Sequence, residues 1–170
     1  MSKITDKLFI GNINDAFAKD KLHQNGITHI INTTVDIPNY FEDDFEYLRI
    51  SVNDSFTENI SDHFLSVICF IKKVFNDNGI VLIHCHEGIS RSVSFAIAFI
   101  IYQDKITYDD AFNIIVKNRP IADPNINFIG QLCWFQKKRL GIANNFIGKT
   151  CKQIKVGKGV IPRKRRTKTV

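Results

Sequence analysis

One short segment of the chain combines side chains that can perform chemistry together. His84 to Ser92 reads His-Cys-His-Glu-Gly-Ile-Ser-Arg-Ser, so Arg91 follows Cys85 after five intervening residues. The apolar run Val81 to Ile83 precedes this segment, and a longer apolar run, Val93 to Tyr102, follows it. This pattern predicts a buried strand, a tight loop and a buried helix that begins where the loop ends.

A loop that leads into a helix N-terminus can bind an anion, because its backbone N–H groups lack partners within the helix. The helix end and Arg91 both favour the thiolate form of Cys85. The planar guanidinium of Arg91 suits two phosphate oxygens. We therefore expect phosphoryl transfer through a cysteinyl-phosphate, with Cys85 as nucleophile. The phosphate would be bound by Arg91 and by the backbone amides of His86, Glu87, Gly88, Ile89, Ser90 and Arg91.

The same residues carry a resemblance. The pattern His84-Cys85-x-x-Gly88-x-x-Arg91-Ser92 resembles the signature of the Cys-dependent protein tyrosine phosphatases, and its Gly-Ile-Ser-Arg-Ser ending is similar to that of the dual-specificity branch. The opening of the chain, with Leu-x-Ile-Gly-Asn and then Gly-Ile-Thr-His-Ile-Ile-Asn, also resembles this family. So does Pro124-Asn125-x-x-Phe128-x-x-Gln131-Leu132, and the resemblance covers residues 4–142.

The resemblance implies roles for three further residues. The Ser92 hydroxyl would donate to the thiolate and help the intermediate break down, although a serine here can also simply cap the helix. His84 would order the loop and influence the thiol, and an ordinary buried histidine is a comparable interpretation. Asn125 would support the loop, with a turn asparagine after Pro124 as the alternative.

A leaving phenolate or alkoxide needs a proton, so a general acid is expected above the loop. Asp54 follows a predicted strand, and the carboxyl ends of parallel strands face the same crevice. Its spacing to Asn59-Ile60 is also the one that the family shows after its acid. We favour Asp54 as general acid and base, and the alternatives are Asp36, Asp43, Asp44 and Asp62.

Glu87 departs from the family pattern, in which a small residue is usual at this position. A carboxylate that pointed into the loop would oppose phosphate binding and disfavour the thiolate. We therefore expect Glu87 to point outward, toward the flanks of the substrate. Its charge also argues against polyphosphate RNA ends or phosphoinositides as substrates. His84, Cys85 and His86 are adjacent and no second Cys/His cluster exists at zinc spacing, so neither a metal nor another cofactor is expected.

The wider pattern predicts a single-domain α/β fold with a twisted, mostly parallel central sheet flanked by helices on both faces. Strands are expected at 7–12, 27–32, 45–50 and 80–83, and helices at 15–25, 60–75, 93–102, 107–118 and 124–140. We expect a catalytic domain at 1–145 and a basic, flexible tail at 146–170. Residues 1–150 carry a net charge of −2, whereas residues 151–170 carry +8.

The basic tail would contact nucleic acid or an anionic membrane, or would simply be a solvated end. Without a signal-like N-terminus or an apolar run long enough to cross a membrane, the protein is expected to be intracellular, in the cytoplasm or nucleus. The four cysteines lack paired spacing, which indicates thiols in a reducing compartment. No N-terminal kinase-docking module is expected, and a monomer is slightly favoured.

The resemblance implies a protein phosphatase that acts on phosphotyrosine and phosphoserine/threonine in phosphoprotein substrates. One alternative is an RNA 5′-phosphatase of the same superfamily, with the basic tail as its nucleic-acid anchor. The other is a catalytically weak module that binds phosphoproteins. Retention of Cys85, Arg91 and Asp54 argues against this second alternative, since a binding module can lose its thiol freely.

Overall fold

Short strands and helices are interspersed along the chain, as expected for an α/β domain. The computed structural model describes residues 1–141. In chain order the elements are strands β1 (Ser2–Thr5) and β2 (Leu8–Gly11), helices α1 (Ile13–Phe17) and α2 (Lys19–Gln24), strands β3 (His29–Asn32) and β4 (Glu46–Arg49), a 3₁₀ turn (Ser61–His63), helix α3 (Phe64–Asn76), strand β5 (Val81–His84), and helices α4 (Arg91–Asp104), α5 (Tyr108–Asn118) and α6 (Ile126–Leu140).

The five strands form one sheet in the order β1-β2-β5-β3-β4. Strand β1 is antiparallel to β2, and the other pairs are parallel. In this register His84, the last residue of β5, lies between Gly11 of β2 and Asn32 of β3. Because parallel strands end at the same edge, the loop after His84 emerges at the centre of that edge, where open α/β sheets bind ligands.

Helices cover both faces of the sheet. On one face Phe9, Ile30 and Leu82 pack with Leu22 of α2. On the other face Ile10, Ile31 and Ile83 belong to the large core formed with helices α3 to α6. Side chains alternate between the two faces because successive residues of a strand point in opposite directions. The chain is thus an α/β domain with a mostly parallel sheet between two helical layers, as expected.

Helix α4 is the central helix of the larger layer, and every residue from Arg91 to Ile101 is buried. A helix that is apolar on all sides must be enclosed by other elements. Helices α3, α5 and α6 all pack against α4, which also lies against β5. The N-terminus of α4, where the loop after β5 ends, is therefore fixed on a rigid element.

Two features differ from the sequence prediction. Residues 15–25 do not form one helix, because Ala18 adopts a non-helical backbone (φ −85°, ψ 71°) that separates α1 from α2. Helix α1 instead begins two residues earlier, where Asn12 and Asp15 form a capping box. The polar residues Ser2–Thr5, which the pattern left without an element, form the edge strand β1.

None of the helices in residues 1–141 has the length and apolar composition needed to cross a lipid bilayer. The basic tail predicted at 146–170 lies outside the described residues. Its contacts with nucleic acid or membrane therefore stay predictions.

Candidate active site

The loop between β5 and α4 is held from outside through its carbonyl groups. The His84 carbonyl accepts hydrogen bonds from the N–H (3.0 Å) and the hydroxyl (2.7 Å) of Thr33. The His86 carbonyl accepts from Ile13 N–H (3.1 Å), at the start of α1. The Ile89 carbonyl accepts from Asp123 N–H (2.9 Å). Each anchor comes from a different part of the chain, so the loop conformation is imposed by tertiary contacts.

One side chain holds the two carbonyl groups in the middle of the loop. Arg119, at the end of α5, donates from Nε to the Gly88 carbonyl (2.6 Å) and from Nη2 to the Glu87 carbonyl (3.2 Å). A trans peptide unit directs its carbonyl and the following N–H in opposite directions. With the carbonyl groups bound outside, the N–H groups of Glu87, Gly88, Ile89 and Ser90 point to the inner side.

The Cys85 thiol lies on that inner side. Its side chain is 1% exposed, and Sγ accepts a hydrogen bond from Gly88 N–H at 3.1 Å. The Ser92 hydroxyl lies 3.3 Å from the same sulfur, within hydrogen-bond distance. The Gly88 N–H and the Ser92 hydroxyl are thus both within hydrogen-bond distance of one buried sulfur. Both groups can stabilise a negative charge on this sulfur by donating to it.

Arg91 is the first residue of α4 and is 8% exposed. Its Nη1 donates to the Val52 carbonyl (3.1 Å), whereas its buried Nε has no hydrogen-bond partner. An unpaired buried donor on a guanidinium is costly. This cost is removed if an oxygen of a bound anion accepts from Nε. Asp54 Oδ2 is 3.7 Å from Nε, too far for a hydrogen bond but close enough for charge attraction.

Asp54 is fixed beside the loop by two side chains. Its Oδ1 accepts from the Ser90 hydroxyl (2.8 Å) and from Asn125 Nδ2 (2.7 Å). Asn125 N–H donates in turn to the Ser90 hydroxyl (3.1 Å), and Asn125 Oδ1 caps α6 by accepting from Phe128 N–H (3.0 Å). Asp54, Ser90 and Asn125 therefore form one network across three segments. All three residues were predicted site residues, but the sequence pattern did not indicate these contacts between them.

Comparisons with known proteins agree with this geometry. Residues 8–138 match the catalytic domain of the dual specificity phosphatases. This chain is a member of the dual-specificity phosphatase family. It is 39% identical over 133 residues to dual specificity protein phosphatase 1-A of Xenopus laevis, a match that covers 78% of this chain and 36% of that protein. The chain thus spans about a third of the length of this curated relative.

Two solved structures are similar over nearly their whole length. The crystal structure of DUSP15 is 33% identical, with a TM-score of 0.77, and the match covers 94% of this chain and 97% of DUSP15. The human tyrosine phosphatase-like serine/threonine/tyrosine-interacting protein is also 33% identical, with a TM-score of 0.78. That match covers 82% of this chain and 97% of the human chain. The dual-specificity phosphatase fold therefore accounts for the described residues.

Of the other aspartates that sequence analysis considered as acids, Asp36 also contacts the loop of this dual-specificity phosphatase domain. Its Oδ1 lies 2.8 Å from His86 Nε2. The hydrogen bond from His86 lowers the pKa of Asp36. Asp44 instead pairs with Lys19, and Asp62 accepts from Asn59.

His84 is buried behind the loop. Burial lowers its pKa to about 4, so its imidazole is neutral at pH 7. Its Nδ1 has no hydrogen-bond partner. Glu87 is exposed, in agreement with the expectation that its carboxylate points away from the loop interior. Among the cysteines, the expected free thiols are confirmed for Cys69 and Cys85.

Arg119 is a residue of the site that the sequence pattern did not predict. An arginine next to Pro120 at a predicted helix end is typical of a solvated cation near the helix C-terminus. In the structure Arg119 is buried, and it packs so closely on Gly88 that a Cβ there would lie 2.3 Å from Nη2. Gly88 has a φ of +66°, which also favours glycine. The glycine of the motif is thus explained in part by a residue outside the motif.

Proposed function

We propose that this chain is a protein phosphatase that hydrolyses phosphotyrosine and phosphoserine/threonine through a cysteinyl-phosphate intermediate. One observation carries the proposal. The buried Cys85 sulfur accepts the Gly88 N–H, and the buried Arg91 guanidinium beside this loop has a donor, Nε, without a partner. A phosphoryl group on this loop would satisfy that donor and the inward amides together. Both groups would then stabilise the charge on its equatorial oxygens.

In the first step the Cys85 thiolate attacks phosphorus, and the bond from phosphorus to the leaving oxygen breaks. Asp54 gives its proton to that oxygen. Because Oδ1 already accepts from Ser90 and Asn125, the transferred proton would be carried on Oδ2. Asn125 and Ser90 thus act as positioning residues for the acid, and Arg91 clamps the phosphoryl group.

In the second step water attacks the phosphorus of the cysteinyl-phosphate, and Asp54, now a carboxylate, accepts a proton from this water. The bond from phosphorus to sulfur breaks, and inorganic phosphate is released. The Ser92 hydroxyl, 3.3 Å from Sγ, would donate to the sulfur as it regains negative charge. His84 stays neutral behind the loop and takes no part in proton transfer in this mechanism.

The experiment is hydrolysis of an aryl phosphate in EDTA by the wild type and by two variants, each with a matched control variant. C85S should abolish turnover, whereas C69S, which alters an exposed cysteine on α3, should not. D54N should reduce kcat by about 10²- to 10⁴-fold, the usual contribution of a general acid. D62N is its control. Turnover by C85S, or a normal rate for D54N, would contradict the assignments.

A comparison of substrates separates the proposed function from its alternatives. We expect phosphotyrosine and phosphothreonine peptides to be hydrolysed in preference to a 5′-triphosphorylated RNA, in the full chain and in a chain lacking residues 151–170. Preference for the RNA, lost with residues 151–170, would instead indicate an RNA 5′-phosphatase. Binding of phosphopeptides without any turnover would indicate a binding module.

A further inference from the structure

We propose that Arg119 is a positioning residue for the phosphate loop, which aims the Gly88 and Ile89 N–H groups at the thiol and the phosphate. The inference rests on the proposed function, since it assigns a residue to the same site. Arg119 lies outside the Cys-x5-Arg motif. It acts through two peptide units, whose carbonyl groups accept its hydrogen bonds.

The first unit joins Glu87 to Gly88. Arg119 Nη2 binds its carbonyl at 3.2 Å, and its N–H donates to Cys85 Sγ at 3.1 Å. One rigid plane therefore connects the guanidinium to the sulfur. A cation on the carbonyl also polarises the N–H, which strengthens its hydrogen bond to a thiolate.

The second unit joins Gly88 to Ile89. Arg119 Nε binds its carbonyl at 2.6 Å, so the Ile89 N–H is directed to the opposite side of the plane, where the phosphate would lie. The fork of a guanidinium can hold both carbonyl groups at once, whereas a lysine ammonium is a point charge on a flexible stem. One side chain thus orients two neighbouring N–H groups of the phosphate loop.

Arg119 is held in place and is almost fully buried. The residue is 6% exposed, and Nη1 donates to the Ser2 hydroxyl in β1 at 3.1 Å. Burial lowers the pKa of Arg119, and attraction to Asp15 and to Cys85 opposes that shift. This attraction gives Arg119 a second way to act on the sulfur, in addition to its hydrogen bonds to the loop.

The test compares R119M, which removes the charge and the fork, with R119K, which keeps the charge alone. R139M is the control, because Arg139 of α6 lies over the ring of Tyr102, near the C-terminal end of α4 (4.0 Å to the ring centroid). The first readout is the pH dependence of Cys85 alkylation by iodoacetamide, with C85S as blank. The second is kcat/KM for an aryl phosphate, and the third is the melting temperature.

We expect R119M to raise the midpoint pH of alkylation and to slow alkylation about ten-fold below that midpoint. We also expect kcat/KM to fall by about 10- to 100-fold, which is less than the loss caused by removing a hydrogen-bond donor to the transition state. R119K should fall between R119M and the wild type. R139M should match the wild type in all three readouts. A lower melting temperature with an unchanged midpoint and kcat/KM would make Arg119 merely structural and overturn the proposal.

If R119M does not fold, R119K decides. An alkylation midpoint equal to that of R139M, together with a kcat/KM within about two-fold of that of R139M, would overturn the inference. The alkylation profile also keeps this test separate from the proposed function. A wild type without phosphatase activity would refute the proposed function, while a shifted alkylation midpoint in R119M would still support the action of Arg119 on the thiol.

Discussion

Asn125 donates from Nδ2 to Asp54 Oδ1 at 2.7 Å, which joins the N-terminus of α6 to the segment that carries the proposed acid. The same asparagine caps α6 through its Oδ1, because that oxygen accepts from Phe128 N–H. A substitution at Asn125 therefore has two separable effects. One acts on Asp54, and the other acts on the helix.

The variant N125S separates these effects. Serine is a good N-cap, so α6 should keep its cap and the melting temperature should change little. The hydroxyl is too short to replace the amide that reaches Asp54, so Asp54 loses one of the two donors on Oδ1. We expect kcat to fall about ten-fold, part of the contribution of a general acid. An unchanged kcat in steady-state assays would mean that Asn125 does not position Asp54.

Gly88 allows a matched comparison of two glycines. In G88A the new Cβ would lie 2.6 Å from the Gly11 carbonyl oxygen and 2.3 Å from Arg119 Nη2, at a φ of +66°. We expect a loss of at least about 2 kcal/mol in the free energy of unfolding, together with a loss of activity.

The control is G130A, in the middle of α6, where a Cβ would meet nothing within 4 Å. Alanine is the better helix former, so G130A should be stabilised by up to about 1 kcal/mol. Denaturant unfolding of both variants measures the contrast. Equal stabilities would show that the loop tolerates a side chain at Gly88.

The fold was predictable where the information is local. Two apolar runs predict the central strand and the central helix, which the structure places at Val81–His84 and Arg91–Asp104. The motif between these two elements predicts the loop. Strand β1 was missed because Ile4 is its only buried residue, so the element depends on pairing with β2. The break between α1 and α2 at Ala18 was also missed, because no proline or glycine lies there to indicate it.

The sequence pointed to the residues proposed to bind the phosphoryl group, but not to Arg119, which holds the loop. Cys85, Arg91 and Ser92 are adjacent in the sequence and carry a signature. Arg119 binds carbonyl groups more than thirty positions away in the sequence, and nothing about an arginine beside a proline indicates burial. Backbone carbonyl groups that accept such hydrogen bonds also cannot be recognised from residue type, because every residue has one.

His84 should make the stability of the domain depend on pH. Burial lowers its pKa from 6.5 to about 4. Between these values the unfolded chain binds a proton that the folded chain does not, so stability is fully present above about pH 6.5 and declines as the pH falls toward 4. At pH 5 the loss is about 2 kcal/mol.

The variant H84Q removes this titration, whereas H63Q, on the 3₁₀ turn, keeps it. We expect the melting temperature of H63Q and of the wild type to fall more steeply between pH 7 and pH 5 than that of H84Q. Parallel curves for all three proteins would show that His84 is not held neutral by the fold.

Phe56 is an exposed apolar side chain close in sequence to the proposed acid. It lies two residues after Asp54 and is 74% exposed, although the segment around it is firmly held. The Glu58 carbonyl accepts from Asn127 and Gln131 of α6, and Asp54 is bound by Ser90 and Asn125. A rigid segment thus presents an apolar ring to solvent beside the proposed acid, where a substrate residue next to the phosphorylated one can cover it.

We expect F56A to lower kcat/KM by about 5- to 20-fold for phosphopeptides with an apolar residue beside the phosphorylated position, which corresponds to about 1–2 kcal/mol of apolar contact. Activity on a small aryl phosphate, which is too short to reach Phe56, should be unchanged. The control is L65A, which removes an exposed apolar side chain on α3. An equal loss on aryl phosphate and phosphopeptide would place the effect of F56A on Asp54 rather than on recognition.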